Sequence, residues 1–227
     1  MEGSKVIIPL LGGWLDVTGE VVTEWIILAV VLVLALLVRG KLSERPGKLQ
    51  NLLETGVEYL DGFFGGLLGA KRCRKYYYFL SSMFVFIIFS NYCGLVPGVG
   101  LTDYVKAPTS SLSVTAGLSI MTFVFLQAAS IRSLGFKGYL KRFVSPIALM
   151  LPLLILDEFI KPLSLALRLF GNIFGEETVM EELYNLLPIG APLIMMVLSL
   201  LFCAIQAIVF TMLTAIYLEE STAELED

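Results

Sequence analysis

The sequence contains no histidine, the side chain that most often shuttles protons or binds metals near neutral pH. Any proton traffic through this chain therefore has to use carboxylates, amides, hydroxyls and water. Cysteine is scarce as well. Cys73, Cys93 and Cys203 lie in or beside apolar runs without metal-ligand spacing and read as small apolar side chains. These shortages leave neither the nucleophile–base pair nor the metal cluster an intramembrane enzyme would need. No phosphate-binding loop is present, and no cofactor or metal is expected. Charged residues make up only 16% of the chain. Its cations flank apolar runs instead of lining one surface, which excludes a nucleic-acid footprint. No internal repeat of apolar segments is found, which counts against the duplicated halves of many secondary transporters. Residues 1–20 lack a basic segment leading into an apolar core and a cleavage site, so the first apolar run is expected to be retained.

What is abundant is apolar surface: 57% of the 227 residues are hydrophobic and mean hydropathy is +0.83. Several mostly apolar runs of about 18 residues or more predict an all-α, polytopic membrane protein. The expected organisation is an external lead over 1–20, spans over 21–38, 76–93 and 110–131, and two longer helices over 146–186 and 189–218. The last two exceed the ~20 residues needed to cross and are expected to be strongly tilted. Residues 47–69 differ: Leu49, Leu52, Leu53, Val57, Leu60, Phe63, Phe64 and Leu67 recur with a helical period opposite Glu54, Glu58 and Asp61. That pattern predicts an amphipathic helix in the interface or docked on its neighbours. Twelve of the 16 Lys and Arg residues fall within 39–48, 71–75 and 132–142. By the positive-inside rule these segments are cytoplasmic, the N-terminus is outside, and the tail 219–227 is inside.

Arg168 sits in the middle of an apolar, helix-length run. An ionisable group at bilayer depth costs at least ~2.5–3.5 kcal/mol and marks a functional site by default. Its helical neighbours at three and four residues are Leu165, Ser164, Gly171 and Asn172, none of them an acid. Glu176 and Glu177 lie roughly 12–14 Å further along the helix. Asp157 and Glu158 are more than two turns back and placed to pair with Lys161 at i,i+4 and i,i+3. An acid for Arg168 therefore has to come from another helix or another chain. The plain alternative is an arginine that snorkels to the interface. At about 100° per residue, Asn172 lies about 40° from Arg168, Glu176 about 80° and Glu177 about 180°. One face thus suits a partner and another a polar cavity. Elsewhere, Asn91 and Gln206 read first as hydrogen-bonding glue between helices.

Leu167-Arg168-Leu169-Phe170-Gly171-Asn172, preceded by Lys161-Pro162-Leu163-Ser164-Leu165 and followed by Glu177, resembles the signature of subunit a of the F-type ATP synthase membrane sector. A second block, Gln206-Ala207-Ile208-Val209-Phe210 with Leu213 to Leu218, is similar to that family's last helix. The resemblance implies a stationary, non-catalytic subunit whose two half-channels move protons or sodium ions to and from carboxylates on a ring of c subunits. It implies that Arg168 is the essential arginine facing the ring and preventing leakage. Asn172, Glu177 and Gln206 match polar residues around the half-channels. Tyr217 falls on a polar position of the last helix, and Asn91 matches an amide at the end of the second span. Asp157 and Glu158 resemble acids of the cytoplasmic half-channel. The implied partners are the c ring, the subunit b stalk and the remaining ATP synthase subunits, in a bacterial plasma membrane. Two departures stand out. The family often has Ala-Gly-Glu where this chain has Gly175-Glu176-Glu177, and some members carry a histidine where this chain has Ser199. Which group relays the ion on the outer side is left open. The rival reading is an independent transporter or channel in which Arg168 binds an anionic substrate.

Overall fold

The computed structural model describes residues 6–10, 15–39, 47–95, 107–144, 151–186 and 190–222. Six helices carry most of these residues: α1 Gly19–Arg39, α2 Lys48–Leu68, α3 Ala70–Cys93, α4 Leu112–Val144, α5 Leu151–Leu186 and α6 Ala191–Thr222. A short 3-10 turn, Pro108–Ser110, precedes α4. The start of the expected 146–186 helix, the outer loop over 96–106 and the tail from 223 onward lie outside the described residues.

The all-α expectation misses one small feature. Within the lead before α1, β1 (Val6–Leu10) pairs antiparallel with β2 (Leu15–Thr18), with Ile8 opposite Val17, Leu10 opposite Leu15 and an irregularity between Val6 and Ile8. The β-branched residues Val6, Ile7, Ile8, Val17 and Thr18 favour that pairing over helix.

Among the described residues, three stretches are long and apolar enough to cross a membrane: Gly19–Leu36, Leu112–Arg142 and Leu193–Thr222. α3 and α5 are diluted by the very groups of interest. Tyrosines, serines and Asn91 interrupt the apolar run of α3, and Asp157, Glu158, Lys161, Arg168, Glu176 and Glu177 interrupt that of α5. α1 is anchored only at its start, where Glu20, Thr23 and Ile27 are buried near α3 and the 3-10 turn. Further on, Trp25, Leu28, Val30, Leu32 and Leu36 face outward, a distribution suited to hydrocarbon and not to water.

α2 behaves as two halves. Phe64 and Leu68 are buried with Leu80 of α3, Leu126 of α4 and Leu218 of α6, whereas Leu52, Leu53 and Val57 remain exposed. Gly69 joins α2 to α3 at φ 73° and ψ 152°, a conformation open in practice only to glycine. The turn brings Cys73 against Asp61, whose carboxylate lies 3.8 Å from the thiol sulfur. Burial, reinforced by that carboxylate, holds the Cys73 thiol above its ordinary range.

α3, α5 and α6 share the central core. Met83 and Ile87, Leu165 and Leu169, Ala207 and Phe210 are buried together, with Leu118 of α4. α4 also packs on α5 through Ser119, which donates to the Pro162 carbonyl. Pro162 lacks the N–H that would continue the helical ladder, yet α5 runs through it unbroken.

α4 continues well past the apolar span expected over 110–131, but bends at Gly135, which has φ 70° and ψ 165°. The space around Gly135 is open, so an added side chain would meet strain without a clash. Gly135→Ala is expected to cost about 1–3 kcal/mol, read as a lower midpoint of thermal unfolding in detergent. An unchanged midpoint would mean that the bend relaxes freely.

Candidate functional site

α5 sets the geometry of the site. Its inner face, Leu165, Ala166, Leu169 and Ile173, is buried against the bundle. Arg168 falls just beside that face and is exposed, flanked on the outer surface by Leu163, Leu167 and Phe174. Among the described residues no ion pair to Arg168 is seen; those seen on this stretch of α5 belong to Asp157, Glu158 and Lys161. Asn172, one turn on, is half-buried.

On one side of Arg168, roughly 12 Å along the helix at Glu176, α5 meets α6 and the end of α3. Glu176 is half-buried and faces Ser199 and Cys203 of α6. Its Oε2 is buried without a hydrogen-bond partner, as is the Ser199 hydroxyl. Asn91 closes the same region from α3. It is 1% exposed, and its Nδ2 donates to the Cys203 carbonyl at 3.4 Å while its Oδ1 has no partner. Tyr92 donates to the Leu200 carbonyl at 3.3 Å, which fixes α3 against α6 here. The chain also closes tightly at this end, since a Cβ on Gly94 would lie 2.8 Å from that of Ala107. Gln206, one turn further along α6, is buried with its amide nitrogen unpartnered. Unpartnered buried polar atoms are rare in packed interiors and call for water or an ion. Glu177 is exposed on another face.

On the other side, at Lys161, roughly 10 Å from Arg168 along α5, lies a charged cluster built from three helices. Lys161, 8% exposed, reaches Asp157 at 3.2 Å and Glu158 at 3.7 Å on its own helix. It also donates to Glu220 at the end of α6 at 3.0 Å. Arg142 of α4 contacts Glu158 at 2.9 Å and Glu220 at 3.8 Å. Gln127 donates to the second Glu158 oxygen at 2.9 Å and accepts from Tyr139 at the same distance. Tyr217 lies under Lys161, 5.5 Å from ring centre to Nζ.

Of the residues singled out in the sequence, Asn91, Glu176 and Ser199 come together at one end, and Asp157, Glu158 and Tyr217 at the other. Arg168 stands between, and Glu177 joins neither group. The local reading of Lys161 with Asp157 and Glu158 was too narrow. Arg142, Gln127, Tyr139 and Glu220 complete that cluster, and the sequence pointed to none of them as site residues.

Fold and site together define a helical membrane protein that displays one arginine on its outer surface between two internal polar clusters. The chain belongs to the ATP synthase A chain family, whose pattern it matches over residues 21–219. It is 37% identical over 206 residues to ATP synthase subunit a of Moorella thermoacetica, covering 91% of each chain. It is 36% identical to the chloroplastic ATP synthase subunit a of Oedogonium cardiacum over 208 residues, 89% of this chain and 82% of that one. A subunit a of Syntrophotalea carbinolica is likewise 36% identical over 209 residues, 90% of this chain and 86% of that one.

Proposed function

We propose that this chain is the stationary ion-translocating subunit of a rotary ATP synthase. On this reading two half-channels meet near Arg168 on the surface of α5, and a ring of carboxylate-bearing subunits passes over that surface. The observation that carries the reading is Arg168 itself, exposed beside Leu163, Leu167 and Phe174 with no acid of the described chain in reach. A cation presented to lipid without a partner is costly. A carboxylate supplied by a second chain removes that cost only while it is present, which suits a rotor. A nearby positive charge favours the ionised carboxylate, so the arriving site gives up its proton or sodium ion on one side of Arg168 and reloads on the other. A permanent partner in the same helix would compete with each passing carboxylate.

The polar region of Asn91, Glu176, Ser199 and Gln206 serves as the outer half-channel, with Glu176 as its inward-facing carboxylate. The cluster of Asp157, Glu158 and Lys161 lies on the cytoplasmic half-channel. Asn172 borders the arginine, and Tyr217 closes the inner cluster. In this orientation the N-terminus is outside, the tail is cytoplasmic, and five crossings with one interfacial helix traverse a bacterial plasma membrane. ATP chemistry belongs to other subunits, and the b stalk holds this one still.

The test is a crosslink from the outer face of α5. In a chain freed of native cysteines, Leu167→Cys carrying a photoreactive maleimide should capture the small ring subunit within the intact complex. Leu34→Cys, on α1, should not. If Leu167→Cys captures no subunit of the complex, the rotor-facing assignment is lost and an independent transporter becomes the better reading.

A further inference from the structure

The cytoplasmic-side cluster contains more charge than an ion path built on Asp157 and Glu158 requires. We propose that Glu220, at the end of α6, is a positioning residue for that path: by taking the shortest contact of the Lys161 ammonium it keeps this cation shared among three carboxylates instead of resting wholly on Asp157 and Glu158, which leaves one of the three free to carry a proton. The inference rests on the reading of this chain as an ion-translocating stator and assigns a role to a residue of α6 outside the family blocks.

Lys161 has two acids within reach on its own helix, Asp157 at 3.2 Å and Glu158 at 3.7 Å, yet its shortest contact is to Glu220 on a different helix, at 3.0 Å. Glu158 is already held on both oxygens, by Arg142 at 2.9 Å and by Gln127 at 2.9 Å. Asp157 is the least engaged of the three carboxylates: it is more than half exposed and, among the described residues, pairs with Lys161 alone. It borders a cleft of about 50 Å³ lined by Arg142, Leu154, Asp157, Glu158, Lys161 and Glu220, which has room for water between the carboxylates. Among the described residues, the charged groups lining this cleft are Arg142 from α4, Asp157, Glu158 and Lys161 from α5, and Glu220 from α6, with Tyr139 of α4 beside Glu158 and Arg142 and Tyr217 of α6 beside Lys161.

Two cations therefore face three carboxylates. With Glu220 in place, one carboxylate is in excess and can bind and release a proton while the cations remain neutralised. Without it the charges balance, and Lys161 falls wholly on Asp157 and Glu158. A cation so placed makes proton uptake by a carboxylate harder. Within this chain Glu220 acts through Lys161, its shortest contact.

The experiment uses the whole complex in membrane vesicles, stripped of its catalytic head, with passive proton conductance followed as a function of pH under a fixed potassium diffusion potential. Glu220→Gln should move the midpoint of the conductance profile to lower pH by about half a unit to one unit. Glu220→Asp, which keeps the charge, should retain the wild-type midpoint. The double variant Glu220→Gln with Lys161→Gln, which removes one charge of each sign, should return the midpoint toward wild type. Lys161→Gln alone should move it the opposite way, to higher pH, and this decides the matter should Glu220→Gln fail to assemble. A loss of conductance at every pH with an unmoved midpoint, unrelieved in the double variant, would show that Glu220 only ties α6 to α5 and would overturn the proposal. An unmoved midpoint in Lys161→Gln would overturn it equally. Wild-type vesicles that conduct no protons or sodium ions once the head is removed would instead sink the stator reading beneath it.

Discussion

Arg168→Ala is expected to reduce ion-driven ATP synthesis by roughly 10- to 1,000-fold, the range set by the one to three units by which an adjacent cation shifts a carboxylate. Passive leak through head-stripped vesicles should persist or rise. Both effects follow from the placement of the side chain. Arg168 is exposed on α5 with no acid of the described chain within reach, so its removal leaves no unpaired carboxylate inside the bundle. The bundle should therefore assemble. On the proposed reading, what is lost is the fixed charge that forces the rotor site to discharge, and with it the electrostatic barrier between the half-channels. Each elementary charge crossing ~100 mV supplies ~2.3 kcal/mol, and without the barrier that energy dissipates as leak. Arg168→Lys separates the two functions. It keeps the charge, so leak should stay low. It loses the planar fork that grips a carboxylate in two places, so synthesis should still fall. Normal synthesis together with unchanged leak in Arg168→Ala would mark a structural arginine and move the transporter reading to the front.

How far the sequence could reach depends on whether a residue's partners lie on its own helix. Arg168 stood out because a lone cation in an apolar run is conspicuous without any knowledge of packing. The pairs of Lys161 with Asp157 and Glu158 were equally visible, since helical spacing alone creates them. Arg142 and Glu220 were not. They meet α5 only because α4 continues past its apolar run to Val144, bending at Gly135, and because α6 keeps its helix to Thr222, beyond the last apolar residue Leu218. Hydropathy marks where a helix leaves the hydrocarbon and is silent about where it ends. The hairpin of β1 and β2 escaped for a related reason: two strands of five and four residues are too short for a period to stand out. The amphipathic pattern of α2 was plain, but not that only its second half would find a docking surface, because that surface is assembled from α3, α4 and α6.

The adjacent carboxylates Glu176 and Glu177 are the place where resemblance and geometry pull apart, and their substitution gives the second large effect. The resemblance implies that the family's glutamate corresponds to Glu177 and that Glu176 is the additional acid. Yet Glu176 turns toward Ser199 and Cys203, and its Oε2 is buried beside an equally unpartnered Ser199 hydroxyl. Glu177 is exposed and lies about 100° around the helix from Glu176. A relay group has to lie on the polar path, within hydrogen-bond or single-water reach of the groups it serves. Glu176→Gln keeps the shape and removes the exchangeable proton, so ion-driven synthesis and head-stripped conductance should fall together by about 100-fold or more, the scale of a lost proton-transfer group. Glu177→Gln should lower both by less than about ten-fold on the same scale. Equal, large losses in the two variants would mean that the pair acts as one coupled site. The reverse order would mean that α5 rotates when the rotor docks, bringing Glu177 into the seam. A larger loss in Glu176→Gln than in Glu177→Gln would mean that the seam with Ser199 is already formed in this chain and that Glu176 is the relay within it.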